Sequence, residues 1–310
     1  MIKKFIKNIP FLFSIIKIIT DRRYFYHYIQ GFIEKRNSRN FLALIESKIF
    51  GKKSYNINYD TNHFEKYLEL KSSGYLLNPV KINSEKVNCI IEFLNGCKCY
   101  DPDNNLKNID PIKPSLITTR AFYDNADITK APGVLKLAND ENILRIAEEY
   151  FGAIPKIDSI WAWWTFPNDN IPPTQSFHRD MDTLNFLKFF VYLTDVDENS
   201  GPHVLVKGSH NSSFAAAKDK MHSDSEILKL FSEEDIVEIT GKSGYCFLAD
   251  LFALHKGKNA IESPRLVLQI IYSIIQTPFG PKKPYIKLDE AKNLLNEDYS
   301  KYTNSNIIIN

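Results

Sequence analysis

The sequence has no apolar run long enough to span a bilayer. In the first twenty residues, MIKKFIKNIPFLFSIIKIIT, the longest uncharged stretch is Asn8 to Ile16, against the roughly 20 apolar residues that a membrane helix needs. Lys17 interrupts the apolar core that a signal peptide requires, and no small-residue cleavage site follows it. Two readings of this segment stay open. It is either a helix packed on its own domain, or an interfacial helix on an anionic membrane through Lys3, Lys4, Lys7 and Lys17. Cysteine is scarce: Cys89, Cys97, Cys99 and Cys246 form neither a disulfide framework nor a zinc knuckle, and read as reduced thiols of a cytoplasmic protein. There is no excess of either charge. With 39 basic and 37 acidic residues the net charge is +2, which gives no electrostatic reason for a nucleic-acid partner. Internal repeats and low-complexity tracts are also missing.

What is present is ordinary globular material: 310 residues, 44% apolar, with 21 Phe and 16 Tyr suited to a sheet-rich core. Residues 1–55 read as a basic helical extension. The apolar spacing His63-Phe64-x-x-Tyr67-Leu68-x-Leu70 predicts a helix, Tyr75-Leu76-Leu77 a short strand, and Ser84 the start of a second helix. Tyr100 to Pro114, rich in Asp, Asn and Pro, reads as a loop. Residues 135–151 read as one amphipathic helix. After Pro155 short β-branched and aromatic runs recur between turns: Ile157–Phe166, Thr174–Asp180, Leu187–Thr194, His203–Val206, Ile236–Thr240, Tyr245–Ala249 and Leu266–Ile275. The expected fold is α+β with an all-β core of the jelly-roll or cupin kind, flanked by the N-terminal helices.

One of those runs ends in His178-Arg179-Asp180. Alternate strand residues face the same side, so His178 and Asp180 can share a cavity. His255 stands near the end of a late strand region and is the candidate third member. Two histidines and a carboxylate on one face form the facial triad of non-haem iron(II) oxygenases. Taken singly these residues have plainer readings: a strand-end histidine bonded to a carboxylate for His178, a surface loop histidine for His255. Arg265 opens the apolar strand Leu266–Ile271, where a guanidinium suits a dicarboxylate as well as it suits a strand-end salt bridge. His210 reads as a turn residue satisfying backbone groups, and His203 as a residue near the cavity that could touch substrate. Asp182 falls past the expected strand end. Of Trp161, Trp163 and Trp164, at least one should face core and another the cavity.

The phrases His178-Arg179-Asp180, Leu193-Thr194-Asp195, Asn199-Ser200-Gly201-Pro202 and Gly208-Ser209-His210, with Gly244–Arg265, resemble the phytanoyl-CoA dioxygenase family. The likeness is specific over residues 174–275, looser over 62–170, and does not reach 1–60. It implies a double-stranded β-helix spanning an oxygenase domain at 56–290, followed by a polar C-terminal tail at 291–310. It also implies iron(II) on His178, Asp180 and His255, 2-oxoglutarate held by Arg265 with Gln175 beside it, and dioxygen as oxidant, with ascorbate a suitable reductant in vitro. Two departures stand out. Lys207 replaces a family proline in a turn. Gly257 stands where relatives often carry a serine that makes a second contact to 2-oxoglutarate, leaving Arg120, Lys188 or a tyrosine to supply it. The implied activity is hydroxylation of a small-molecule, lipid or glycan substrate. Asp180 fills the position a halide would need, which argues against a halogenase. The alternatives are a cupin-like protein that binds a metal or ligand without turnover, and a peripheral membrane protein with an inactive oxygenase-like domain.

Overall fold

The computed structural model describes residues 10–33, 35–53, 61–115, 117–168, 176–214, 221–295 and 299–309. Lys3, Lys4 and Lys7 lie outside them. In chain order the strands are β1 (Tyr75–Leu77), β2 (Cys99–Asp101), β3 (Leu106–Ile109), β4 (Arg120–Tyr123), β5 (Lys156–Thr165), β6 (Phe186–Tyr192), β7 (His203–Val206), β8 (Ile236–Ile239), β9 (Cys246–Ala249), β10 (His255–Gly257), β11 (Arg265–Ser273), β12 (Ile286–Lys287) and β13 (Ile308–Ile309).

Eight of them form one antiparallel sheet in the order β1-β9-β6-β11-β5-β4-β2-β3, and three form a smaller antiparallel sheet, β10-β7-β8. The residue period of two divides the core between the faces of the large sheet. On β6, Leu187, Phe189 and Val191 join Leu266, Leu268, Ile270 and Tyr272 of β11 beneath the helices. Phe186, Phe190 and Tyr192 turn the other way, packing with Val267 and Phe247 against Leu205 and Ile239 of the small sheet. Each such buried side chain contributes about 1.5–3 kcal/mol of apolar transfer. The result is an α+β protein whose all-β core is a double-stranded β-helix, with N-terminal helices on one face.

Three expectations need correction. The helix expected over 135–151 is two helices, Val134–Ala138 and Glu141–Phe151. Asp140 divides them, because its carboxylate accepts from the Asn142 and Ile143 amides as an N-cap. The loop expected at 100–114 contains the β2–β3 hairpin, with positive φ at Asn105 in its turn and at Asn108 within β3, a conformation asparagine tolerates. In place of the strand expected at Thr174–Asp180, the described part pairs only at Phe177 and His178, as single bridges to His222 and His255. Just beyond, the buried Arg179 is held by the carbonyls of Phe252, Ser209 (2.9 Å) and Phe214 (2.7 Å), which ties this segment to loops instead of a strand.

The helices at Pro10–Thr20, Tyr24–Ile29 and Arg36–Phe50 lead onto the core. Arg23 donates to the Gly280 carbonyl at 2.9 Å, and Arg39 donates to the Thr183 carbonyl at 2.7 Å. No helix among the described residues is long and apolar enough to cross a membrane. The chain's last residues carry Ile307 and Ile308 into the interior, where β13 pairs in parallel with β12. All four cysteines are free thiols.

Candidate active site

The two sheets enclose a cavity of about 450 Å³. Lining it together are His178, Asp180, His255, Arg265, Lys188 and Arg120, all singled out from the sequence. Gln175 lies outside the described residues.

His178 and His255 face each other across a backbone bridge. The His178 amide donates to the His255 carbonyl at 2.9 Å, and the His255 amide returns the bond at 3.0 Å. Their ring centroids are 4.4 Å apart. His178 Nδ1–H donates to the Ser176 carbonyl at 3.0 Å, and His255 Nδ1–H to the Ala253 carbonyl at 2.9 Å. A carbonyl only accepts, so these bonds fix the proton on Nδ1 and leave each Nε2 with a free lone pair. Each Nε2 lies 3.6 Å from a carboxylate oxygen of Asp180, too far for a hydrogen bond. The three ligating atoms fall within 4.8 Å of one another, a spacing that suits one shared ion better than mutual bonding. Burial drives the His255 imidazole down to about 3, against the opposing pull of Asp180, so the ring stays neutral as a metal ligand must be.

Lys188 is buried, with its ammonium 2.7 Å from Asp180 and 2.8 Å from Asp182. Burial by itself would raise Asp180, but the Lys188 charge and the two imidazoles outweigh it and hold the carboxyl well below the usual range. Burial likewise opposes the Lys188 charge, and the two carboxylates overcome it and raise its pKa. Asp182 therefore faces the cavity, contrary to its expected place past a strand end. Nothing local in the sequence marks it, because its partner is on β6.

Arg265 begins β11 and is 6% exposed. Its Nη1 donates to the Gly201 carbonyl and its Nη2 lies 3.4 Å from Thr165 Oγ1. The buried Nε has no partner. Tyr192 is a further hydrogen-bonding neighbour, and the unpartnered Nε fits an anion entering from the cavity. Arg120 stands on β4 in a bidentate pair with Asp103, at 2.8 Å.

The tryptophans divide as the alternation requires. Trp161 and Trp163 line the cavity, whereas Trp164 packs beneath the helices and donates to Tyr123 Oη at 2.9 Å. Trp163 stacks on Phe122 at 5.7 Å, and Trp161 meets Phe122 edge-on at 6.4 Å. Phe279, also on the wall, packs against His27 of the N-terminal helices at 5.2 Å. Neither phenylalanine was legible as a site residue, since Phe122 precedes the recognisable strands and Phe279 lies in a loop. His210 satisfies a backbone group, bonding the Lys71 carbonyl through Nε2 at 2.9 Å.

Comparison with known proteins adds a family match and a likeness of fold. The phytanoyl-CoA dioxygenase family profile matches residues 114–263, ending just before Arg265. Among solved structures, the chain is similar to EctD from S. alaskensis with 2-oxoglutarate and 5-hydroxyectoine, at 16% identity and a TM-score of 0.53, covering 84% of this chain and 92% of that one. The apoform of the same protein aligns at 16% identity and a TM-score of 0.50, over 76% and 86% of the two chains. At this identity the likeness concerns the fold. No curated protein matches the sequence. Over residues 114–263, just under half of its length, the chain resembles the phytanoyl-CoA dioxygenase family.

Proposed function

We propose that this protein is an iron(II)- and 2-oxoglutarate-dependent oxygenase that hydroxylates a small-molecule, lipid or glycan substrate in the cytoplasm. The observation that carries the reading is the meeting of two histidine Nε2 atoms and one carboxylate in a cavity that also presents a buried arginine with an unpartnered Nε. His178, Asp180 and His255 would hold the iron, and Arg265 the far carboxylate of 2-oxoglutarate. Bound there, iron(II) and 2-oxoglutarate would use dioxygen to turn a substrate C–H bond into C–OH, with release of succinate and carbon dioxide.

The chain's own residues bind and orient. The Nδ1–H bonds keep both imidazoles in the ligating tautomer. Lys188 fixes the Asp180 carboxylate and keeps it ionised. The Phe122–Trp163 stack and Trp161 offer flat apolar faces on which the ring of a glycan or the chain of a lipid could lie.

The test is succinate formation by purified protein supplied with iron(II), 2-oxoglutarate and ascorbate, run beside His178→Ala. Turnover in the parent that vanishes in the variant is the expected result. Should no succinate form, an anaerobic titration for the iron–2-oxoglutarate charge-transfer band decides, and its absence would leave a binding protein as the better account.

A further inference from the structure

The register of β7 and β10 sets His203 directly opposite Gly257. Residues so paired project to the same face, with Cβ atoms about 5 Å apart. At 257 there is no side chain, and a Cβ placed there would meet a single atom, Arg265 Nη2, at 3.9 Å. The imidazole, the unfilled corner and the guanidinium thus share one end of the cavity that all three line. His203 Nε2 and Arg265 Nε are both buried polar atoms without a partner among the described residues. Buried polar atoms in this condition call for a ligand or a water.

The His203 ring is also held in place. It stacks on His255 at 5.4 Å and 14°, and Phe190 flanks it at 5.0 Å. Its backbone amide donates to Tyr192 Oη at 3.1 Å. With its proton on Nε2, the imidazole and the unpartnered Arg265 Nε make a two-part receptor for one carboxylate.

We propose that His203 binds the cosubstrate, its imidazole donating to the distal carboxylate of 2-oxoglutarate beside Arg265, through the space that a side chain at 257 would otherwise occupy. This rests on the oxygenase reading above. Lys188, engaged by two carboxylates, and Arg120, engaged by Asp103, have their charges already matched.

The experiment is anaerobic titration of the iron(II)-loaded protein with 2-oxoglutarate and, separately, with 2-oxopentanoate, which keeps the chelating keto acid and lacks the distal carboxylate. The charge-transfer band reports binding without turnover. In His203→Leu the dissociation constant for 2-oxoglutarate should rise roughly ten- to hundredfold, with 2-oxopentanoate within about twofold of the parent. Gly257→Ser added to His203→Leu should restore most of the loss, since a hydroxyl then fills the corner. If His203→Leu fails to fold, His203→Phe, which keeps the ring stack, is read in the same way. Unchanged 2-oxoglutarate affinity, or equal loss for both acids, would overturn the assignment while leaving the oxygenase standing. No band with either acid in the parent would refute the oxygenase reading and this one together.

Discussion

His178 and His255 repeat one another: each donates its Nδ1–H to the carbonyl two residues before it, and the two backbones exchange both of their amide bonds. The pairing uses main-chain atoms, so truncating either ring leaves it intact. His178→Ala and His255→Ala should therefore stay folded, with melting temperatures within a few degrees of the parent, and lose at least about a hundredfold in divalent-metal affinity. Calorimetric titration with manganese(II) measures this. Metal affinity surviving in both variants would remove these residues from the metal site.

Among the described residues, Lys188 is the one Lys or Arg in contact with both Asp180 and Asp182. Lys188→Met keeps the stem and withdraws the charge, leaving two buried carboxylates close together. The expected loss is about 3 kcal/mol in urea unfolding. Saturating manganese(II) should recover part of that loss, because a bound dication supplies the missing charge. A variant as stable as the parent would show that the carboxylates do not depend on Lys188.

Gly201 has φ +74°, and a Cβ there would stand 2.8 Å from the Lys258 carbonyl and 2.9 Å from the Ala260 amide. Its own carbonyl accepts from Arg265. Gly201→Ala should cost about 1–3 kcal/mol of stability and weaken 2-oxoglutarate binding as Arg265 shifts. Arg265→Lys should weaken that binding about tenfold or more without a comparable loss of stability, since a point charge cannot reproduce the fork. Equal 2-oxoglutarate affinity in parent and Arg265→Lys would place the distal carboxylate elsewhere.

Glu46, on the helix Arg36–Phe50, is 2% exposed, with Arg39 and Thr183 beside it. Burial pushes its carboxyl up to about 8, against a smaller opposing pull from Arg39. The folded state then holds a proton that the unfolded chain has released above about 4.5. Its contribution to stability is accordingly full below that pH and falls as pH rises towards 8, by up to about 1.4 kcal/mol per pH unit. Glu46→Gln should flatten this decline when urea unfolding is compared at acid and alkaline pH. Identical pH profiles for the two proteins would refute the assignment.

Legibility in the sequence follows the range of the interactions. His203–Val206 and Tyr75–Leu77 are bounded as their patterns predict, because alternation and flanking turns are local signals. His178, Asp180 and His255, which the fold brings together, could be picked out as candidates because metal chemistry restricts residue type and spacing. The β2–β3 hairpin was hidden by its own Asp and Asn residues, which serve turns and loops equally well. The break in the helix at Asp140 was missed because one carboxylate capping two amides outweighs an unbroken apolar period. Lys188 and Asp182 could be named but not joined, since an ion pair between a strand and a distant loop leaves no periodic trace.

The bridge between His178 and His255 also bears on how the protein matures. One partner belongs to the segment before β6 and the other to β10, so closing the bridge requires most of the β core to be assembled. A nascent or half-folded chain presents only the His178–Asp180 half, whose grip on a metal ion is weak. The complete three-residue set therefore forms only once the cavity walls are built.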